Sequence, residues 1–267
     1  MNNLAGISET NRRKLTLLHR HTRGLVGIDD AATILNMDRT PSAKLLARLA
    51  SQGWARRIRR GLYLLIPLDA TSPDDWREDP WILAHHLFEP AYIAGWSACE
   101  YWGFTEQIFH HVAVFTATPI RDRRVRIDGT EFILRAIPEA RFFGTHSVWR
   151  QNTPVKISDP THTIVDILDV PEWGGGIRHV VQMLTAYITS EHYDEELLVD
   201  YLARIGNYAA SKRLGYLLET IGVGSSPLIN RLHSMRSEGY ALLDPGASPK
   251  GHYVARWHIR VNVERLE

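Results

Sequence analysis

The chain has 267 residues, of which 44% are hydrophobic and 23% charged, which excludes a disordered or fibrous protein and leaves room for two modest domains. No run of about 18 apolar residues occurs and the amino terminus contains no apolar signal core, so we expect no membrane span, no export, and a cytoplasmic protein. The single cysteine, Cys99, excludes an internal disulfide framework and a multi-cysteine metal site within one chain.

The net charge of +1 conceals two parts of opposite sign. Residues 1–66 contain 12 Lys and Arg against 4 Asp and Glu, a balance of +8, whereas residues 67–267 contain 19 against 26, a balance of −7. This asymmetry predicts a basic module that binds a polyanion and a second module with another role.

The boundary between the two parts is predicted from composition. Residues 67–79 carry two prolines and five acidic residues with little apolar periodicity, which is typical of a linker. Asp79 and Pro80 then provide a helix cap and a helix-starting proline. We therefore predict a basic first domain at 1–66, a linker at 67–79 and a second domain at 80–267.

Three helices are predicted in the first part. The first runs from about Thr10 to His21, with Leu15, Leu17 and Leu18 facing inward. The second begins after Gly27, with Asp29 or Asp30 as its cap. A four-residue connection leads to Thr40 and Pro41, which start the third helix, and this helix ends near Gly53. Helix, short turn and helix is the helix-turn-helix spacing.

The third helix is predicted to read DNA. Leu45 and Leu49 share one face at i, i+4, so this face packs, while Lys44 and Arg48 share a neighbouring face that can bind. At its amino end, Thr40 and Ser42 offer small hydroxyl groups that could approach base edges in the major groove.

A basic hairpin follows, in which two short strand-like runs meet near Gly61. Its arginines have the reach and the forked donors that suit phosphates or a narrow minor groove. If about six basic groups contacted phosphates, log affinity would fall against log salt with a slope of about −5. The alternative is a solvated edge strand that its charge protects from aggregation. The wing residues predicted to bind are Arg56, Arg57, Arg59 and Arg60, with additional backbone contacts from Arg12 and Lys14.

The second part mixes helical and strand-like patterns in segregated blocks, which predicts an α+β domain behind an N-terminal winged helix-turn-helix domain. The predicted helices lie at 80–88, 97–102, 160–169, 177–190, 194–205, 209–221 and 227–238. The predicted strands lie at 111–116, 123–128, 131–137, 155–157 and 253–263.

Several segments along the chain resemble the AbiEi family of abortive-infection antitoxins, the regulators of type IV toxin–antitoxin operons. These segments are 59–67 (RRGLYLLIP), 91–106, 155–166 (VKISDPTHTIVD), 174–177, 212–219, 243–245 and 257–262. The resemblance implies a winged helix that represses its own promoter and a carboxy-terminal domain that counteracts an AbiEii-type nucleotidyltransferase toxin. The family also includes regulators described without a toxin.

We predict no catalytic set, no cofactor and no metal site. Asp159 and Asp166 fit a helix cap and an exposed helix face better than a carboxylate pair. The glycines at 174–176 lack the lysine of a P-loop and fit a flexible helix start. Asp128 and Glu131 could begin a nuclease motif, but Ile133 occupies its lysine position and a hairpin turn at Asp128 is favoured.

The remaining candidates also favour structural roles. The adjacent pairs His85–His86 and His110–His111 cannot both face one metal and no His-Glu-x-x-His motif occurs, while Cys99 lies in an apolar stretch typical of a buried thiol. Lys212 and Arg213, on an amphipathic helix, are the best candidates for a surface that faces a partner or an anion, with a solvated helix rim as the alternative. Dimerisation or cooperative binding to paired DNA half-sites is plausible, because one winged helix reads few base pairs. A DNA-processing enzyme carried by the winged helix stays the rival hypothesis.

Overall fold

The structure is a computed structural model that describes residues 6–22, 24–70 and 76–266. Within these ranges the fold is mixed α+β, as predicted. Its helices are α1 (Glu9–Thr22), α2 (Ile28–Leu35), α3 (Arg39–Ser51), α4 (Pro80–Phe88), α5 (Gly95–Tyr101), α6 (Pro160–Asp169), α7 (Ile177–Ile188), α8 (Glu195–Ile205), α9 (Tyr208–Thr220) and α10 (Ser226–Ser234). Its strands are β1 (Leu25–Gly27), β2 (Ala55–Arg59), β3 (Leu62–Leu65), β4 (Ala91–Ile93), β5 (His111–Thr116), β6 (Arg124–Ile127), β7 (Thr130–Ala136), β8 (Thr145–Arg150), β9 (Thr153–Ser158), β10 (Ala241–Leu242), β11 (His252–Val254) and β12 (Ile259–Val261).

The first part is a three-helix unit on an antiparallel sheet of order β1-β3-β2. Leu15 and Leu18 of α1 pack with Leu46 and Leu49 of α3 in one core. Leu17, predicted to face inward, is 40% exposed, because it lies between the two buried leucines on the outer side of α1. Helix α3 begins one residue before the predicted Thr40, with Asp38 at the cap position.

A mixed sheet of order β6-β7-β5-β4-β9-β8 forms the centre of the second part. Alternate residues of its strands enter different cores, since Val114 and Phe132 pack on one face and Phe115 and Ile133 on the other. Both faces are therefore covered. Asp128 and Gly129 have φ values of 51° and 86° at the turn from β6 to β7, which confirms the predicted hairpin.

The sheet of the first part packs against the central sheet. Leu25 and Leu64 share a core with Ile82 of α4 and with strands of the central sheet. The segment predicted as a linker is ordered at its end, where Glu78 is buried. Residues 71–75 of this segment lie outside the described residues, and the boundaries at 66 and 79 stay predictions.

Helices α6 to α10 build a third layer around a core that includes Trp257 and Ile259. The continuous strand predicted at 253–263 is wrong. The structure has a hairpin instead, with β11 and β12 antiparallel and β10 parallel to β12. A turn separates the two strands, and His258 within it has a φ of 49°, which no extended strand permits.

Candidate nucleic-acid interface

The outer face of α3 is free to approach a ligand. Leu45, Leu46 and Leu49 anchor the helix in the core of the first part. On the opposite side Thr40, Lys44 and Arg48 follow one another at intervals of four residues, and all three are exposed. Neither Lys44 nor Arg48 forms an ion pair with any described residue. The helix thus presents one hydroxyl and two cationic side chains on a single stripe.

Ser42 does not belong to that stripe, which corrects the prediction. Its relative exposure is 0%, and its hydroxyl has no hydrogen-bond partner among the described residues. The cause is helical geometry, because Ser42 lies three and four residues before Leu45 and Leu46 and shares their buried side. It cannot reach a base edge.

The wing is the hairpin of β2 and β3. Gly61 closes it with a φ of 82°, in the left-handed region that favours glycine. Arg57, Arg59 and Arg60 are exposed around this turn, and none of them has an acidic partner within the part of the chain that the structure describes. Unpaired arginines on a hairpin tip remain available to phosphates.

Arg56 points the other way and corrects the predicted set. Its guanidinium lies 2.7 Å from Oδ1 of Asp128, donates to the carbonyl of Trp76 and lies over the Trp76 ring at 5.5 Å. The Asp128 side chain is only 2% exposed. Alternation along β2 explains this, since Arg56 and Ile58 face the second part while Arg57 and Arg59 face solvent. Arg56 therefore fixes the wing to the body of the protein.

Two further cations lie on α1. Arg12 is exposed, whereas Lys14 is half-buried with its Nζ 3.4 Å from Sδ of Met37. Met37 lies in the turn between α2 and α3, so Lys14 is close to the start of α3. From these positions both side chains can contact the sugar–phosphate backbone of a nucleic acid that is bound beside α3.

Lys212 and Arg213 form no surface, because both are buried, at 2% and 4% exposure. Lys212 donates to Oγ of Ser237 at 2.9 Å and to the carbonyl of Gly239. Arg213 donates to the carbonyls of Leu168 at 2.8 Å and Asp169 at 3.0 Å, and also to those of Leu242 and Leu243. The partner surface predicted at this pair is wrong, because both side chains form hydrogen bonds inside the protein and connect α9 to neighbouring segments.

The remaining sequence candidates have structural contacts. Oδ1 of Asp159 accepts from the amide of His162 at 2.7 Å, so this residue caps α6 as predicted. Oδ2 of Asp244 accepts from the amide of Ile177 at 3.0 Å and so occupies the helix start behind the glycines at 174–176. Cys99 is buried, and desolvation raises the pKa of its thiol well above the ordinary value.

Asp166 departs from its predicted exposed position. It is 5% exposed, the Tyr92 hydroxyl donates to its Oδ1 at 3.3 Å, and Nε2 of His162 lies 3.5 Å from the same oxygen. Desolvation, aided by Asp169 and opposed by His162, raises the pKa of Asp166 to about 6. The sequence gives no signal for this burial beyond the continuous apolar run around it.

The raised pKa of Asp166 predicts a pH-dependent stability. A carboxyl whose pKa is higher in the folded protein stabilises it fully below the unfolded pKa of 3.8, and this contribution is lost as pH rises through about 6. Relative to Asp166→Asn, which cannot ionise, the wild type should lose about 2 kcal/mol of unfolding free energy between pH 4 and pH 7. Urea unfolding of both proteins across this range measures it; a difference that does not vary with pH would contradict it.

Neither metal clusters nor membrane helices are found in the described ranges. No group of three or more His, Cys, Asp or Glu residues at 6–22, 24–70 and 76–266 could hold a metal ion. None of the helices in these ranges combines the length and the apolarity that crossing a bilayer requires.

Comparison with known proteins agrees with this geometry. The sequence model of the family described as "Transcriptional regulator, AbiEi antitoxin" matches residues 13–66. Residues 13–66 therefore form an AbiEi-type domain. The match covers most of α1 and all of α2, α3 and the wing, so the AbiEi resemblance is confirmed for the part that carries the exposed cations of α3 and the wing.

The fold beyond the AbiEi-type domain also has a counterpart. The crystal structure of the RV2827C protein from Mycobacterium tuberculosis is similar over 97% of this chain and 93% of that chain, with a TM-score of 0.68 and 16% sequence identity. At this identity the likeness concerns the fold alone. No curated protein matches the sequence.

Proposed function

We propose that this protein binds duplex DNA at its own promoter through the AbiEi-type winged helix and represses transcription there. The observation that carries the proposal is the pairing of two exposed cationic elements, the stripe of α3 and the tip of the wing, whose cations lack acidic partners among the described residues. The family description of residues 13–66 as a transcriptional regulator supports it.

Each element has a distinct task in this proposal. Helix α3 enters the major groove, where Thr40, Lys44 and Arg48 contact base edges and neighbouring phosphates. Arg57, Arg59 and Arg60 neutralise phosphates or enter the adjacent minor groove, and Arg12 and Lys14 contact the backbone. Repression requires only that the bound protein occludes the promoter, so no reaction is needed.

The second part is proposed to act as an antitoxin. In this proposal it counteracts an AbiEii-type nucleotidyltransferase toxin in a type IV toxin–antitoxin system in the cytoplasm. The family whose model matches residues 13–66 is described as an antitoxin, and segments of the second part such as 155–166 resemble the same family. A dimer or cooperative binding to repeated half-sites would extend the short site that one winged helix reads.

Experiments can distinguish this proposed function from two alternative functions. A stand-alone regulator would share the winged helix and lack a toxin. A DNA-processing enzyme has little support, because Asp128 is held by Arg56 and Ile133 is buried in the central sheet.

DNA binding is tested with the fragment upstream of the protein's own gene and a scrambled duplex of equal length. We expect the wild type to prefer the upstream fragment. The double variant Lys44→Ala, Arg48→Ala should lose about 10- to 100-fold in affinity for it, because these side chains provide base or phosphate contacts. Both residues are exposed, so thermal unfolding should be unchanged. Equal affinity for both duplexes would contradict promoter recognition.

The antitoxin role is tested by coexpression with a nucleotidyltransferase-like gene from the same operon. Restored growth that persists in the Lys44→Ala, Arg48→Ala variant under a foreign promoter would show that neutralisation does not depend on these DNA contacts. Absence of such a gene, or no rescue, favours the stand-alone regulator.

A further inference from the structure

The small sheet at the carboxy-terminal end has one face that no described element covers. Ile259 and Val261 of β12 point into the core, so Arg260 between them points outward. Tyr253 of β11 pairs with Arg260 and shares that outward face, and Leu242 of β10 pairs with Arg260 from the other side. Tyr240 lies two residues before Leu242. We call Tyr240, Tyr253, His258 and Arg260 the tyrosine face.

The rings of the tyrosine face touch one another while remaining open to solvent. The centroids of Tyr240 and Tyr253 are 4.9 Å apart with the ring planes at 79°, an edge-to-face contact, and those of Tyr240 and His258 are 5.2 Å apart with an interplanar angle of 32°. Nevertheless Tyr240 is 50% exposed and Tyr253 59% exposed. Two large rings that the fold brings together from separate segments, and then leaves uncovered, indicate a binding surface.

The charge around these rings is positive, although the second part as a whole is acidic. Residues 236–260 contain four Lys and Arg against two Asp and Glu, plus two histidines. Of the two acids, Asp244 is buried at the start of α7 and Glu238 is exposed, while one of the four cations, Arg256, is paired with Glu219 at 2.8 Å. Arg260 is half-buried and lies over the Tyr253 ring, with its guanidinium carbon 5.2 Å from the ring centroid. Exposed rings beside cations favour a ligand that has both flat rings and negative charge.

We propose that the tyrosine face is a second nucleic-acid-binding surface, which takes a single-stranded segment with bases stacked on Tyr253 and Tyr240 and phosphates near Arg260. Stacking requires an unpaired base, because the ring faces of a duplex are already covered by their neighbours. Aromatic side chains on an open sheet are an established way of holding such bases. This surface does not depend on promoter binding by the winged helix.

A second copy of the chain fits the face less well. In a two-fold contact each residue near the axis meets its own equivalent, so the two Arg260 side chains would approach each other. Like charges brought together in this way oppose association. Phosphates, by contrast, would neutralise them.

The test uses the full chain and fluorescently labelled eight-nucleotide oligomers of deoxyuridine and uridine, which differ only in the 2′-hydroxyl, and follows binding by fluorescence anisotropy. We expect binding that weakens with salt, and a loss of about 10-fold or more in the variant Tyr240→Ala, Tyr253→Ala. The variant Tyr253→Phe, which keeps the ring, should bind like the wild type. Tyr208→Ala is the matched control, because Tyr208 is 53% exposed outside this face. Whichever oligomer binds more tightly identifies the favoured sugar.

Four results would overturn the proposal. The first is no binding of either labelled oligomer when the protein is at 100-fold excess over the oligomer, and the second is equal affinity of the double alanine variant and the wild type. The third is a dimer in light scattering that the double variant dissociates, which would assign the face to self-association. The fourth is loss of oligomer binding in the variant with alanine at Arg57, Arg59 and Arg60, which would assign the oligomer to the winged helix. Oligomer binding that persists in this variant supports a site separate from the wing.

Discussion

Alanine at Arg57, Arg59 and Arg60 together should weaken binding to the promoter duplex by roughly 10- to 100-fold near physiological salt. The three guanidinium groups are exposed at the wing tip without acidic partners in the described structure, so their positive charge is available to phosphates. Each lost phosphate contact removes about 0.9 from the slope of log affinity against log salt. A slope near −5 in the wild type should therefore become about −2 to −3 in the variant. Titrations at several salt concentrations measure both quantities.

Arg56→Ala is the matched control for the wing. Arg56 has the same side chain on the same strand, but it is bound to Asp128 at 2.7 Å and faces the second part. Its loss should lower stability and leave the salt slope unchanged, because no phosphate contact is removed. A triple variant that keeps the wild-type slope would remove the wing from the interface, and a flatter slope in Arg56→Ala would show that Arg56 also contacts DNA.

Features encoded by adjacent residues could be predicted from the sequence. Helices α4 and α6 begin at Pro80 and Pro160, where an acidic cap precedes a proline, and both carboxylates accept an amide of the first turn. The turn at Asp128 and the wing turn at Gly61 were equally visible, since both use residues that tolerate positive φ. These signals act within a few residues and need no tertiary context.

Features decided by distant contacts could not be predicted. Arg56 resembles the other wing arginines in sequence, and only the approach of the β6 to β7 turn separates it from them. Lys212 and Arg213 occupy what looks like the polar rim of α9, until the segment after α10 returns to cover them. The tyrosine face was missed for the same reason, because Tyr240 and Tyr253 meet only when β10 and β11 join β12.

Arg213 is the side chain whose loss should destabilise the protein most among those considered. The last carbonyls of a helix have no partner within the helix, and Arg213 donates to two of them at the end of α6, from Leu168 and Asp169. It also donates to the carbonyls of Leu242 and Leu243 beside the small sheet. Desolvation lowers the pKa of Arg213 to about 10, so the guanidinium stays charged at neutral pH.

Arg213→Met should therefore cost about 3–5 kcal/mol of unfolding free energy, because it leaves buried carbonyls without donors. Arg213→Lys should recover little of this loss, since one ammonium cannot reproduce the forked contacts to both elements. Arg178→Met is the control: Arg178 is exposed with one bond to the carbonyl of Arg265, and its loss should cost about 0.5 kcal/mol or less. Urea unfolding compares the three variants with the wild type. If Arg213→Met unfolded like Arg178→Met, the guanidinium would not be the brace between α6 and the small sheet.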